Sequence, residues 1–142
     1  MRKNLATTEL GDLVDLPLIA ILATYRSDGT VLLSPVWHEY TDGGFNVSTF
    51  ENDVKARHLR RDARAVLVVA EALPPFRGVE ITCEAKLLHD GAHEAVERMA
   101  IRYLGEEKGH AYADSVPASL LVRLEPGTLR TWDFSDDWAS FI

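Results

Sequence analysis

Residues 48–64 read STFENDVKARHLRRDAR, and the fold is decided by how this stretch joins what precedes it. Ser48 and Thr49 end a strand-like run, Asp53 is a good helix N-cap, and the residues after it read as a helix to about Asp62. Within 55–64, Lys55, Arg57, Arg60, Arg61 and Arg64 stand against the single acid Asp62. That is a net of +4 in a chain whose formal charge is −7, so the remainder carries −11. Basic charge concentrated on an acidic background marks a place for a small anion rather than general solubilising charge. A strand that ends in hydroxyls and opens a basic helix suits a phosphate.

Upstream, LIAILATY at 18–25 reads as a buried strand. SDGT at 27–30 is a tight turn, because Asp-Gly supplies the positive φ that hairpins require. VLLSPVWHE at 31–39 is a second strand, whose period of two puts Ser34, Val36 and His38 on one face and Pro35 and Trp37 on the other. Pro35 implies an edge or a bulge, which also suits a ligand approaching the backbone. TDGG at 41–44 turns into a third strand, 45–49, and TELGDLVD at 8–15 reads as a short helix capped by Thr7 or Thr8.

Downstream, AVLVVAE at 65–71 is a fourth strand, apolar enough to be buried on both faces. GVEITCEAKLL at 78–88 is a long fifth strand. Val79, Ile81, Cys83, Ala85 and Leu87 fall on one face, with Glu80, Thr82, Glu84 and Lys86 on the other. A helix over 92–104 ends at Gly105, and strands 119–125 and 128–134 are separated by Pro126-Gly127. About seven short strands, mostly hairpin-linked, with two longer helices inserted, predict a β-barrel rather than a doubly wound parallel sheet.

At 142 residues, the chain reads as a single domain, 1–142, with a sizeable core. Its longest apolar run, LPLIAILATY at 16–25, falls short of the roughly 20 residues needed to span a membrane. MRKNLATTELGDLVD has no apolar run before its acids and does not read as a signal peptide. The single cysteine, Cys83, excludes an intrachain disulfide and reads as inert core. A cytoplasmic location is the expectation. The acidic remainder argues against nucleic acid as a partner.

The order of these segments, hairpin strands, then SPVWH at 34–38, then VSTFENDVKARHLRRDAR at 47–64, resembles the split β-barrel flavoproteins of the pyridoxamine 5′-phosphate oxidase-like superfamily. Within it, the chain is most similar to the small single-domain branch that uses the deazaflavin coenzyme F-420. The resemblance covers nearly the whole chain, including RYLGEE at 102–107 and LRTWDF at 129–134. It implies a homodimer with two cofactor sites at the interface. Ser34, Pro35, Val36 and Trp37 would lie along the ring and ribityl chain, and Ser48 and Thr49 near the phosphate. Lys55 matches the family's phosphate-binding lysine, Arg57 and Arg60 stand beside it in sequence, and His58 takes a place where relatives often carry Asn. Trp37 or Trp132 is expected to help close the two half-sites across the two-fold axis.

Residue-level alternatives stand beside these roles. Trp37 and Trp132 are each either cofactor contacts or core and interface aromatics, and Trp138 reads as packing. Helical spacing spreads the arginines over more than one side, so Arg61 and Arg64 read as solvated. His89 and His93, flanked by Asp90 and Glu94, have a metal-like spacing, but Gly91 breaks the register and no metal is expected. No G-x-S-x-G, P-loop or G-x-G-x-x-G occurs, so neither a hydrolase nor a dinucleotide fold is supported. The expectation is an F-420-dependent oxidoreductase passing a hydride to a small organic substrate, with no identifiable catalytic side chain. The alternatives are an FMN enzyme, or a non-catalytic carrier of flavin, haem or tetrapyrrole. F-420 is longer and more anionic than FMN, which the surplus arginines around Lys55 favour. Loops at 72–78 and 105–117 are expected to set substrate selectivity.

Overall fold

A computed structural model of the chain describes residues 1–139, the last two as backbone only. The expectation for the Trp138 side chain therefore lies outside what is described. The strands are β1 (Arg2–Lys3), β2 (Ala20–Tyr25), β3 (Val31–Val36), β4 (His38–Thr41), β5 (Gly44–Phe50), β6 (Arg64–Ala70), β7 (Gly78–Glu84), β8 (Lys86–Leu88), β9 (Ser119–Leu124) and β10 (Thr128–Asp133). The helices are α1 (Val54–Arg61), α2 (Ala92–Leu104), α3 (Glu106–Ser115) and α4 (Ser135–Ala139). A six-stranded sheet in the order β1-β10-β7-β6-β2-β3 packs against a four-stranded sheet ordered β4-β5-β9-β8, and every pairing is antiparallel. This is the split barrel.

Two predicted strands, 31–39 and 78–88, are each two strands in the structure. The chain leaves the six-stranded sheet at Trp37 and again at Ala85, and enters the four-stranded sheet as β4 and β8. A strand serving two sheets packed at an angle must bend at the corner. The inward alternation survives each bend because both sheets face one core. Ser34, Val36 and His38 are all buried, and Cys83, Ala85 and Leu87 pack against the same core as Val79 and Ile81. That core joins Leu22, Leu67 and Val69 of one sheet to Phe45, Val122 and Leu124 of the other.

Other boundaries differ for local reasons. The helix expected over 8–15 is two 3-10 turns, Thr7–Leu10 and Leu13–Asp15, interrupted by Gly11 at φ 65°. Neither Thr7 nor Thr8 caps it. The Glu9 side chain accepts from the Ala6 N–H at 2.9 Å instead. The strand at 65–71 is not buried on both faces in this chain. Ala65, Leu67 and Val69 are buried, but Val66 and Val68 are half-buried on the outer face of the six-stranded sheet. Cross-strand register puts Ile21 beside Val68 and Pro35, and Ala23 beside Val66 and Leu33, on that same face. Leu33 there is 64% exposed.

Helix α2 forms because Ala92, Ala95, Val96, Met99 and Ala100 repeat at helical spacing and bury one stripe against β9 and β5. Its last turn fastens the corner after Trp37. The Arg102 guanidinium donates to the carbonyls of His38, Leu16 and, at 3.2 Å, Val14. The Tyr103 hydroxyl accepts from the His38 N–H at 3.2 Å and donates to the Leu18 carbonyl. The His38 ring is fully buried beside Phe45, with centroids 5.8 Å apart, and neither ring nitrogen has a hydrogen-bond partner among the described residues.

Burial, and then the charge of Arg102, push the His38 pKa down from 6.5 to about 4. The unfolded chain therefore takes up this proton first as pH falls. Stability contributed by neutral His38 is complete above 6.5 and is lost between 6.5 and about 4. The loss from this residue amounts to about 3 kcal/mol, at 1.36 kcal/mol per unit. His38→Phe should flatten that part of a urea-unfolding pH profile. An unchanged slope would show that the ring is not buried neutral.

Candidate functional site

The bend at Trp37 opens a cleft of about 240 Å³ between the two sheets. The chain places Ile19, Pro35, Val36 and Trp37 along one side, Ser48, Thr49 and Phe50 of β5 along another, and Asp53 and Lys55 at the start of α1. Val96 of α2 and Tyr112 of α3 complete the lining. Trp37 stacks on Tyr103, at 5.2 Å between centroids and 11° between planes, and meets Tyr112 at 5.1 Å, tilted by 56°. One end of the cleft is thus apolar and aromatic. The other carries hydroxyls, one ammonium and one carboxylate.

Asp53 caps α1 as expected, accepting from the Val54 N–H at 2.7 Å. Its other oxygen accepts from Lys55 Nζ at 2.9 Å and from Thr49 Oγ1 at 3.0 Å. Partial burial raises the pKa of Asp53, but the hydrogen bonds from Lys55 and Thr49 outweigh it and hold the acid below the usual carboxylate range.

Six of the residues expected at a site meet here: Pro35, Val36, Trp37, Ser48, Thr49 and Lys55. The others do not line this cleft. Ser34 alternates inward and is buried on the core side of β3. Ala56, His58 and Leu59 fill the buried arc of α1, which leaves Arg57, Arg60 and Arg61 on the opposite arc. Arg57 there donates to the Asn52 carbonyl at 3.4 Å, and Arg60 to the Glu51 carbonyl at 2.9 Å. His58 Nδ1 meets the buried Thr24 hydroxyl at 2.9 Å. Burial and the charges of Arg61, Arg26 and Arg57 lower its pKa. Trp132 lies on β10, with three strands between it and β3. It packs on Gly78, where a Cβ would fall 2.1 Å from the indole, and it lines a separate depression with Lys3, Arg130 and Phe134.

Of the two segments expected to set selectivity, 105–117 contributes Tyr112, and it does so as helix α3 rather than a loop. None of the described residues of 72–78 lines the cleft, and Arg77 there is bound to Glu71 and, at 2.8 Å, to Asp12. His89 pairs with Glu51 and His93 with Glu97, and no group of three or more metal-ligating side chains is present among the described residues. Burial pushes the Cys83 thiol up to about 11, which makes it a poor nucleophile.

A family model described as pyridoxamine 5′-phosphate oxidase matches residues 6–133. The chain belongs to that family. Solved structures with the same fold include the conserved hypothetical protein Rv2991 from Mycobacterium tuberculosis. It is 26% identical, with a TM-score of 0.76 over 92% of this chain and 86% of that one. An F-420 reductase is 18% identical, with a TM-score of 0.68 over 83% of this chain and 93% of that one. HutZ, the haem storage protein from Vibrio cholerae, is 16% identical, with a TM-score of 0.68 over 87% of this chain and 92% of that one. The last two likenesses establish the fold alone. A search of curated proteins finds no match.

In this member of the family, sequence reasoning misses Tyr112 and the pairing of Asp53 with Lys55. The signals for α3 are present: Glu106 and Glu107 suit a first turn, and Gly109 permits a close helix crossing. A Cβ at Gly109 would lie 2.5 Å from the Ile101 Cα, so α3 seats on α2 backbone to backbone. Gly→Ala stabilises an isolated helix by about 1 kcal/mol. Gly109→Ala should instead destabilise this protein by about 1–3 kcal/mol through overpacking. A gain in urea-unfolding free energy would mean that α3 is not seated there.

Proposed function

We propose that the protein is an oxidoreductase that holds coenzyme F-420 in this cleft and passes a hydride between it and a small organic substrate. The carrying observation is the polarity of one cleft, with Lys55, Ser48 and Thr49 at one end and Trp37, Pro35 and Val36 at the other. The first group suits a phosphate, and the second suits the edge and face of a flat ring. When bound, the cofactor supplies the redox chemistry at its central ring. The protein's share is to grip the phosphate through Lys55, to bind the ring beside Trp37 and to exclude water from the reacting face. Tyr112, at the rim of the cleft, meets whatever lies over the ring. The family match and the shared fold of an F-420 reductase support this reading.

FMN is the second reading. Arg57 and Arg60 do not line the cleft and bond the carbonyls of Asn52 and Glu51, so the argument from surplus arginines no longer separates the two cofactors. Lys55 and two hydroxyls would also serve a compact phosphate. Among the described residues of one chain, no histidine lines the cleft to ligate a haem.

We infer further that the working unit is a homodimer. The cleft, at about 240 Å³, is smaller than the roughly 300–1,000 Å³ of a complete small-molecule site. Ile19 and Pro35 form part of its lining and also extend the apolar outer face that carries Leu33 and Val31. A second copy laid on that face would cover the patch and close the cleft. Trp132, held away from the cleft of its own chain, would reach a cofactor only from the second copy.

Absorbance and fluorescence titrations with F-420 and FMN test the reading. Saturable binding of F-420 at one per chain is expected, and failure of both cofactors to bind would overturn it. Lys55→Ala should weaken binding by about 1.5–3 kcal/mol, the range for a hydrogen bond to a charged group. An unchanged dissociation constant would remove Lys55 from the site. Leu33→Glu should leave a folded monomer by light scattering and weaken cofactor binding at least tenfold, whereas a monomer binding at full affinity would contradict the shared site.

A further inference from the structure

Lys55 does not face the cleft alone. Both oxygens of Asp53 are engaged, one by the Val54 N–H and the other by Lys55 and Thr49, so the carboxylate is fixed where the cleft meets α1. Asp53, Lys55 and Thr49 all line the cleft, and the nearby arginines of α1 are turned to the opposite arc. The polar end therefore carries one positive and one negative charge before any ligand arrives. An anion that reaches Lys55 also meets Asp53.

We propose that Asp53 is a charge-selecting residue, whose carboxylate offsets Lys55 and costs a phosphomonoester more than a phosphodiester. The inference rests on the cleft being the phosphate site of the proposed function. A phosphodiester carries one negative charge. A phosphomonoester, with a second pKa of about 6, carries nearly two at neutral pH. Coulomb energy scales with the charge of the ligand. Repulsion by Asp53 is therefore about twice as large for the monoester, and its effect on the binding constant is about the square of the effect on the diester. The same carboxylate takes the Val54 N–H and one N–H of the Lys55 ammonium, so both meet a second ligand charge already partly engaged. F-420 presents a phosphodiester and FMN a monoester, which makes Asp53 the residue that separates the two readings.

The test compares FMN with its methyl phosphodiester, which has the same ring and ribityl chain but one charge fewer, by fluorescence titration at neutral to slightly alkaline pH. The attraction of Lys55 doubles for the monoester as well, so the readout is the change in each ligand's affinity when Asp53 loses its charge. Asp53→Asn and Asp53→Ser both keep a good N-cap and remove the charge. Each should tighten the monoester by about tenfold where the diester gains about threefold, and circular dichroism melts confirm that the variants are folded. Equal changes for the two ligands, or none, would reduce Asp53 to a helix cap and overturn the proposal while leaving the phosphate site standing. If neither ligand nor F-420 binds the wild-type protein, the proposed site falls, and this inference with it.

Discussion

The geometry of the cleft depends on how α2 holds the backbone on either side of the first corner. Two adjacent side chains, Arg102 and Tyr103, reach the carbonyls of residues 14, 16, 18 and 38 and the His38 N–H. His38 opens β4 just past the corner, and residues 14–18, which lead into β2, pack beside β4. Buried backbone groups left unpaired would be costly, and here one arginine and one phenol satisfy several together. Trp37 is consequently held at the corner with one face against Tyr103. The apolar end of the cleft is a by-product of this fastening.

The polar end is built by a different economy. The basic stretch that stands out in the sequence is divided by the turn of the helix, with Lys55 toward the cleft and Arg57, Arg60 and Arg61 toward solvent and nearby backbone carbonyls. What remains at the cleft is a single ammonium shared with a carboxylate. The charge lining the cleft is thus one residue pair rather than bulk positive charge. The fold adds an open apolar sheet face beside that cleft, on which the proposed dimer would close the proposed cofactor site. Among the described residues, no helix is long and apolar enough to cross a membrane.

The barrel was legible in the sequence because period-two alternation records which side of a strand faces the core, and that survived both corners. Ser34, Val36 and His38 pointed inward on either side of Trp37, as did Cys83, Ala85 and Leu87 on either side of Ala85's bend. The corners themselves were not legible, because alternation is blind to which sheet a strand joins. Asp53 was recognisable as a cap, but its second bond, to Lys55, depends on a side-chain rotamer. Arg57, Arg60 and His58 stand beside Lys55 in sequence, but the turn of the helix leaves them out of the lining of this cleft. Trp132 sits across the sheet for a reason visible only in strand order. Helix α3, and Tyr112 with it, was hidden by Gly105 and Gly109, which read as loop until α2 is seen beneath them.

The central claim is that one cleft, running from Trp37 to Lys55, receives a phosphate-bearing flavin-type cofactor. Hydrogen-exchange mass spectrometry of the intact protein, with and without saturating F-420, tests it most directly. The account predicts slowed exchange concentrated in residues 34–37 and 48–56, with further protection along β2 and β3 as the outer face closes. Protection confined to other segments, with 48–56 exchanging as fast as before, would contradict it.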